Sequence, residues 1–105
     1  MSKIYYVYIL ICSDSTYYTG ITSALVQRLG EHNSGLYPKS YTHGRRPVKL
    51  VFYEGFTNPE VAIMFEKKIK GWNRIKKLAL IQGSWSRLKI LAECKNATTH
   101  RNFAK

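Results

Sequence analysis

The sequence predicts an α/β fold: a small three-stranded, mainly antiparallel sheet flanked by helices in the order β-β-α-β-α-α. Three observations point there. Residues 3–12 (KIYYVYILIC) are apolar on both alternating faces, as in a strand covered from both sides. Two later segments carry apolar residues at steps of three and four, the period of amphipathic helices. The 105 residues suffice for one core but not for a doubly wound dinucleotide-binding sheet, and they contain no Gly-rich phosphate loop.

In the first strand Ile4, Tyr6, Tyr8 and Leu10 share one side, and Tyr5, Val7, Ile9 and Ile11 the other. Such a strand belongs in the middle of a sheet. Ser13-Asp14-Ser15 is turn chemistry, and Thr16 to Gly20 (TYYTG) reads as the strand returning antiparallel. Thr22 or Ser23 is suited to cap a helix that runs to about His32, buries Leu25, Val26 and Leu29, and stops at Asn33-Ser34-Gly35. Arg28 and His32, four apart, share one of its faces. Residues 33–47 (NSGLYPKSYTHGRRP) form a loop longer than most connections, and long loops tend to carry function. Val48 to Tyr53 is the third strand.

Asn58-Pro59-Glu60 opens the second helix with a cap, a proline at the first helical position and an acid at the positive end of the dipole. That helix ends near Gly71 and buries Ala62, Phe65, Ile69 and Trp72. Glu66 falls on the same inward face, where a carboxylate is costly unless it is paired or holds a cation. A helix-edge salt bridge to a neighbouring lysine is the alternative. A shorter helix, Arg74 to Gln82, has Ile75, Leu78 and Ile81 as its apolar residues, with Arg74, Lys76 and Lys77 exposed. Beyond it Trp85, Leu88 and Leu91 offer a last docking turn, and residues 96–105 read as a polar basic tail. The expected division is a domain over residues 1–85 and a basic C-terminal extension over residues 86–105.

The chain has 17 Lys+Arg against 6 Asp+Glu, a net charge of +11 at pH 7. Residues 67–105 hold eleven of those cations and a single acid, Glu93. A surface so charged attracts phosphate backbones, which makes nucleic acid the expected partner. No run approaches the about 18 to 20 apolar residues of a membrane span. The expectation is therefore a cytoplasmic monomer with no membrane contact. Cys12 and Cys94 have neither the spacing of a disulfide framework nor that of a zinc site, and both read as reduced, structural residues.

The polar residues left to carry chemistry are Tyr8, Tyr18, Arg28, His32 and Glu66. Tyr6-Val7-Tyr8 and Tyr18-Thr19-Gly20, followed by a helix with arginine and a later helix with glutamate, resemble the two motifs of the GIY-YIG nuclease superfamily. The likeness is to its small stand-alone bacterial proteins, with their YVYIL, YTGIT, RL-EHN, YT-GRRPV and KK-ALI segments. These correspond to Tyr6 to Leu10, Tyr18 to Thr22, Arg28 to Asn33, Tyr41 to Val48 and Lys76 to Ile81, and the resemblance spans residues 3–85. Three features depart from the superfamily pattern. Tyr6 replaces the first motif's glycine, Ile21 and Thr22 stand where some members carry lysine, and the asparagine that many members place after the glutamate is unmatched, since Asn73 reads as a helix cap.

The resemblance implies the GIY-YIG fold and phosphodiester hydrolysis assisted by one divalent ion, Mg²⁺ or Mn²⁺, held by Glu66. It implies that Arg28 neutralises charge on the phosphoryl transition state. A tyrosine is to activate the attacking water, which its ordinary pKa of about 10 does not favour, so His32 is to assist. Tyr18 is favoured as the base with Tyr8 as its partner, although the residues alone do not choose between them. Arg45, Arg46, Tyr41, Lys76 and Lys77 are the expected nucleic-acid contacts, Tyr41 by stacking on an unpaired base. DNA is expected over RNA. The expected function is a metal-dependent DNA endonuclease of repair or processing, and the alternative is a binding module of the same fold with weak or no catalysis.

Overall fold

A computed structural model describes residues 3–86 and 89–92. The elements are β1 (Tyr5–Ile11), β2 (Tyr17–Thr22), α1 (Leu25–Ser34), β3 (Lys49–Phe56), α2 (Pro59–Lys70) and α3 (Arg74–Ile81), with a 3-10 turn at His43–Arg45 between α1 and β3. The strands form one antiparallel sheet in the order β2-β1-β3. The doubly apolar strand is central, as its pattern requires. Val7 and Ile9 face a core with Phe56, Ala62, Phe65, Ile69 and Leu80, beneath α2 and α3. Tyr8 and Leu10 face the other way, against Leu25 and Leu29 of α1. One sheet thus separates two helical layers, and β2 is the edge where the layers meet.

Local chemistry explains where the elements begin and end. Asp14 accepts from the Thr16 backbone N–H at 3.1 Å and its hydroxyl at 2.6 Å, closing the turn between β1 and β2. Asn58 accepts from the Glu60 N–H at 2.9 Å ahead of Pro59, and Asn73 accepts from the Lys76 N–H at 2.9 Å, so both helices start on side-chain caps. α1 ends at Gly35, whose φ of 76° is left-handed and open to glycine without strain.

Several details differ from expectation. α1 starts on Ala24 without a side-chain cap, because Thr22 Oγ1 accepts from the Ala24 N–H at 3.0 Å in a turn before the helix. Val26 is 86% exposed. At about 100° per residue, Leu25, Leu29 and His32 align toward the sheet and Val26 points away. In α3 it is Leu80 that is buried, while Ile75 and Leu78 are exposed and Lys77 is half-buried. That helix is turned so that residues 77, 80 and 81 lie inward, with the lysine's aliphatic stem covering apolar surface. β2 and β3 each run past the expected end, to Thr22 and Phe56, because both are still paired with β1 there.

Residues 89–92 are helical and bring Ile90, fully buried, and Leu91 to the core, while Trp85 packs on Trp72 with ring centroids 5.0 Å apart. The core therefore reaches into the segment expected to be an extension. Leu88, Cys94 and the tail lie outside the described residues. Cys12 is buried, and burial pushes its thiol pKa up, as befits a structural cysteine. No described helix is long and apolar enough to cross a membrane.

Candidate active site

Tyr8 rises from the middle of β1 and is 1% exposed, with its hydroxyl 3.1 Å from His32 Nε2. The other ring nitrogen of His32, Nδ1, lies 2.8 Å from Thr42 Oγ1, and Thr42 Oγ1 lies 3.0 Å from Ser40 Oγ. His32 and Thr42 are as deeply buried as Tyr8. Three elements build this chain of bonds: the central strand, the last turn of α1 and the long loop. The loop is pinned by Asn33, which donates to the Val48 carbonyl at 3.1 Å and accepts from the Val48 N–H at 2.7 Å. Across the sheet Tyr8 pairs with Gly20. A Cβ there would lie 2.5 Å from the Tyr8 hydroxyl oxygen and 2.6 Å from Cζ, so only glycine lets the ring lie over β2.

Tyr18 pairs with Leu10 and shares the Tyr8 face of the sheet. Its ring meets His32 edge-on at 5.2 Å between centroids and lies 6.3 Å from Tyr8. It also stacks on Tyr41 at 6.2 Å. The Arg45 guanidinium sits 4.0 Å from the Tyr41 centroid, donates from Nε to Asp14 Oδ2 at 3.0 Å and from Nη1 to the Tyr41 carbonyl at 2.8 Å. Arg46 Nε donates to the His43 carbonyl at 2.7 Å. Both arginines and Tyr41 thus have partners within the loop and its neighbours, and the Tyr41 ring carries Tyr18 and Arg45 where an unpaired base was expected.

Burial, with the neighbouring Tyr18 adding to it, pushes the Tyr8 pKa up to about 12, against the opposing pull of Arg28. Burial and the Arg28 charge hold His32 below its ordinary 6.5, against a smaller upward pull from Glu31. At neutral pH the pair is therefore a neutral phenol bonded to a neutral imidazole. The Arg28 side chain is 38% exposed, with Nε 3.3 Å from Glu31 Oε1, and its guanidinium can reach an anion in solvent. Glu31 also accepts from Gln27 and Tyr37, and these bonds hold its carboxyl below the usual range.

Glu66 stands apart from this cluster, on the helical layer across the sheet. Its carboxylate is 3.6 Å from Lys70 Nζ and its side chain is 12% exposed. The two layers meet at the β2 edge, in a cleft of 360 Å³ lined by Tyr17, Tyr18, Thr19, Tyr41, Lys70 and Lys77. Tyr8, Tyr18, Arg28 and His32 therefore come together, while Glu66 faces Lys70, one of the residues that line the cleft. Lys77 lines the cleft; Lys76 lies over Trp72, its Nζ 5.7 Å from the ring centroid, and is not among the lining residues. No three His, Cys, Asp or Glu side chains converge among the described residues. A divalent ion bound there would have Glu66 as its one carboxylate, would compete with Lys70 for it, and would take its other ligands from water and substrate, as Mg²⁺ can.

Sequence reasoning missed Thr42 and the role of Gly20. Thr42 is ordinary loop chemistry until the fold sets it against His32, and its one signal was its position inside the YT-GRRPV segment. Gly20 is read from sequence as the end of a strand and part of the second motif, not as the residue that makes room for Tyr8.

These features define a class: a small α/β domain in which two tyrosines from adjacent strands and a histidine from the next helix gather beside one arginine. Residues 4–79 match the family model described as the GIY-YIG catalytic domain. The chain belongs to that family, a family of nucleases. It is 48% identical over 83 residues to a UPF0213 protein of Syntrophus aciditrophicus, covering 79% of this chain and 95% of that one. A UPF0213 protein of Clostridium perfringens is 50% identical over 76 residues, 72% of this chain and 81% of the relative. The solution NMR structure of a UPF0213 protein from Bacillus halodurans superposes with a TM-score of 0.52 at 36% identity, covering 83% of this chain and 92% of that one. That of an E. faecalis protein gives 0.56 at 32% identity, covering 79% and 90%.

Proposed function

We propose that this protein is a metal-dependent endonuclease that hydrolyses DNA phosphodiester bonds in repair or processing. The observation that carries the reading is the Tyr8–His32 hydrogen bond beside Arg28. A phenol with a pKa of about 12 is a poor base by itself. A neutral imidazole bonded to it is a competent proton acceptor, and His32 is neutral at physiological pH because burial and Arg28 disfavour its charge. With Nδ1–H donated to Thr42 Oγ1, Nε2 is left to accept from the Tyr8 hydroxyl, and the two side chains work as one acid–base unit. Tyr18 lines the cleft and so meets the strand or the attacking water directly. Arg28 pairs with the scissile phosphate and neutralises the charge that grows on it. Glu66 would hold the divalent ion, which would supply Lewis-acid polarisation of the phosphate.

A second reading, a nucleic-acid-binding module with weak or no catalysis, is favoured by one contact: Lys70 already neutralises Glu66. Incubating the protein with single-stranded, nicked, flapped and branched DNA plus Mg²⁺ or Mn²⁺ separates the two. The nuclease reading expects cleavage of at least one substrate, reduced about 10²-fold or more by Glu66→Ala. Steeply salt-dependent binding without turnover selects the second reading, and cleavage unchanged in Glu66→Ala removes the metal assignment.

A further inference from the structure

The cleft beside Tyr18 does not end there. A second cleft of 260 Å³, lined by Thr16, Tyr17, Arg74 and Lys77, shares Tyr17 and Lys77 with the first. Together they form a groove along the outer edge of β2, from Tyr18 toward the β1–β2 turn. Its cations are Lys70, Lys77 and Arg74. Glu66 pairs with Lys70, whereas neither Lys77 nor Arg74 has a carboxylate partner among the described residues. Lys77 is instead close enough to Lys70 to feel its charge. Lys70 is largely exposed and already faces Glu66, so Lys77, half-buried and with no acid partner among the described residues, is the groove cation with most to gain from a phosphate.

We propose that this groove is the track for the sugar-phosphate backbone of one nucleic-acid strand, with successive phosphates at Lys77 and Arg74 and the scissile bond beyond Tyr18. The inference rests on the nucleic-acid reading above and adds the path of the strand. The groove reads backbone and not bases, because its aromatic rings are already engaged. The Arg74 guanidinium lies 4.7 Å from the Tyr17 centroid, and Tyr41 carries Tyr18 and Arg45. Each cleft has room for a sugar-phosphate unit.

The test is fluorescence anisotropy of a dye-labelled single-stranded oligonucleotide over a salt series, in chelator so that no cleavage occurs. Lys77→Gln, Lys77→Arg and Lys76→Gln are compared with the unaltered protein. Lys77→Gln is expected to weaken binding about fivefold and to lower the slope of log K against log salt by about 0.7, the share of one single-strand phosphate. Lys77→Arg is to restore both, and Lys76→Gln is to change affinity less than about twofold with the slope unaltered. Thermal melting checks that each variant folds, which is expected because glutamine and arginine keep most of the aliphatic stem and Lys77 has no acid partner among the described residues. Equal effects of Lys77→Gln and Lys76→Gln would mean bulk charge alone and overturn the track. So would displacement of the strand by inorganic phosphate at matched phosphate concentration, which marks a single-anion site. If the unaltered protein binds no strand, both this inference and the proposed function fall; if it binds and Lys77→Gln has no effect, only the track falls.

Discussion

The Tyr8–His32–Thr42 chain and the β2-edge groove are neighbours built on opposite principles. In the chain every side chain is buried, each polar atom has a bonded partner, and charge is excluded, so that the pKa values of phenol and imidazole are pushed apart. In the groove the cations are partly solvated: Arg74 lies over the Tyr17 ring and donates to the Ser15 carbonyl, and among the described residues only Lys70 faces an acid. The first arrangement sets a proton's position and a side chain's tautomer, which demands burial and satisfied bonds. The second accepts a repeating anion whose sequence varies, for which charge and access matter more than fine geometry. Tyr18 belongs to both, which makes it the hinge between binding and chemistry.

Arg28→Ala should separate the two regions most sharply. Its guanidinium acts on a phosphate and contributes little to the fold, so cleavage is expected to fall about 10²- to 10³-fold with melting temperature nearly unchanged. A large loss of stability would show that Arg28 belongs to the packed region instead. Gly20→Ala attacks that region directly. The new methyl must displace the Tyr8 ring, at a cost of about 1–3 kcal/mol. A melting temperature equal to that of the unaltered protein would mean that Tyr8 is not held against β2.

Thr42→Val removes the acceptor of His32 and leaves a buried ring N–H unpaired, with an expected loss of about 1–3 kcal/mol. Thr42→Ser should recover most of it. Because the folded His32 pKa is below 6.5, the unfolded chain binds the proton first as pH falls. Stability therefore declines as pH drops below the unfolded value and levels off once the folded imidazole also titrates. Chemical-denaturation midpoints across that window should show this slope, and His32→Gln should flatten it. The acid limb of cleavage against pH should also move in Thr42→Val, which a purely structural threonine would not cause.

The smallest effect concerns Thr19, buried on the α2 side of the sheet with a hydroxyl that has no hydrogen-bond partner among the described residues. Thr19→Val keeps the shape and removes the orphaned group, so melting temperature is expected to hold or rise slightly. A clear loss of stability would reveal a polar partner for that hydroxyl.

Much of this could be read along the chain, for reasons tied to local physics. The central strand follows from apolar residues on both alternations of residues 5–11, and the starts of α2 and α3 from asparagines whose side chains cap them. The pairing of Arg28 and His32 on one face needs only the helical repeat. Val26 and α3 were harder, because an apolar residue on a short helix lies close to the boundary of the buried arc, and a few tens of degrees of rotation decide its fate. Glu66 was correctly read as sheltered, but which lysine faces it needed the structure, which sets Lys70 Nζ 3.6 Å away.

Sequence alone determined the strand that anchors the site, the helix that carries Arg28 and His32, the excess of positive charge and the family. The first three are consequences of periodicity, capping and composition, which act within a few residues; the family follows from the resemblance of its short motifs. Only the tertiary structure decided that Thr42 completes the histidine's bonding, that Gly20 makes room for Tyr8, and that Lys70, Lys77 and Arg74 share one groove with Tyr18. Each joins residues far apart in the chain through the antiparallel register and the meeting of two helical layers at β2. Contacts of that kind depend on how elements pack, and no local pattern encodes them.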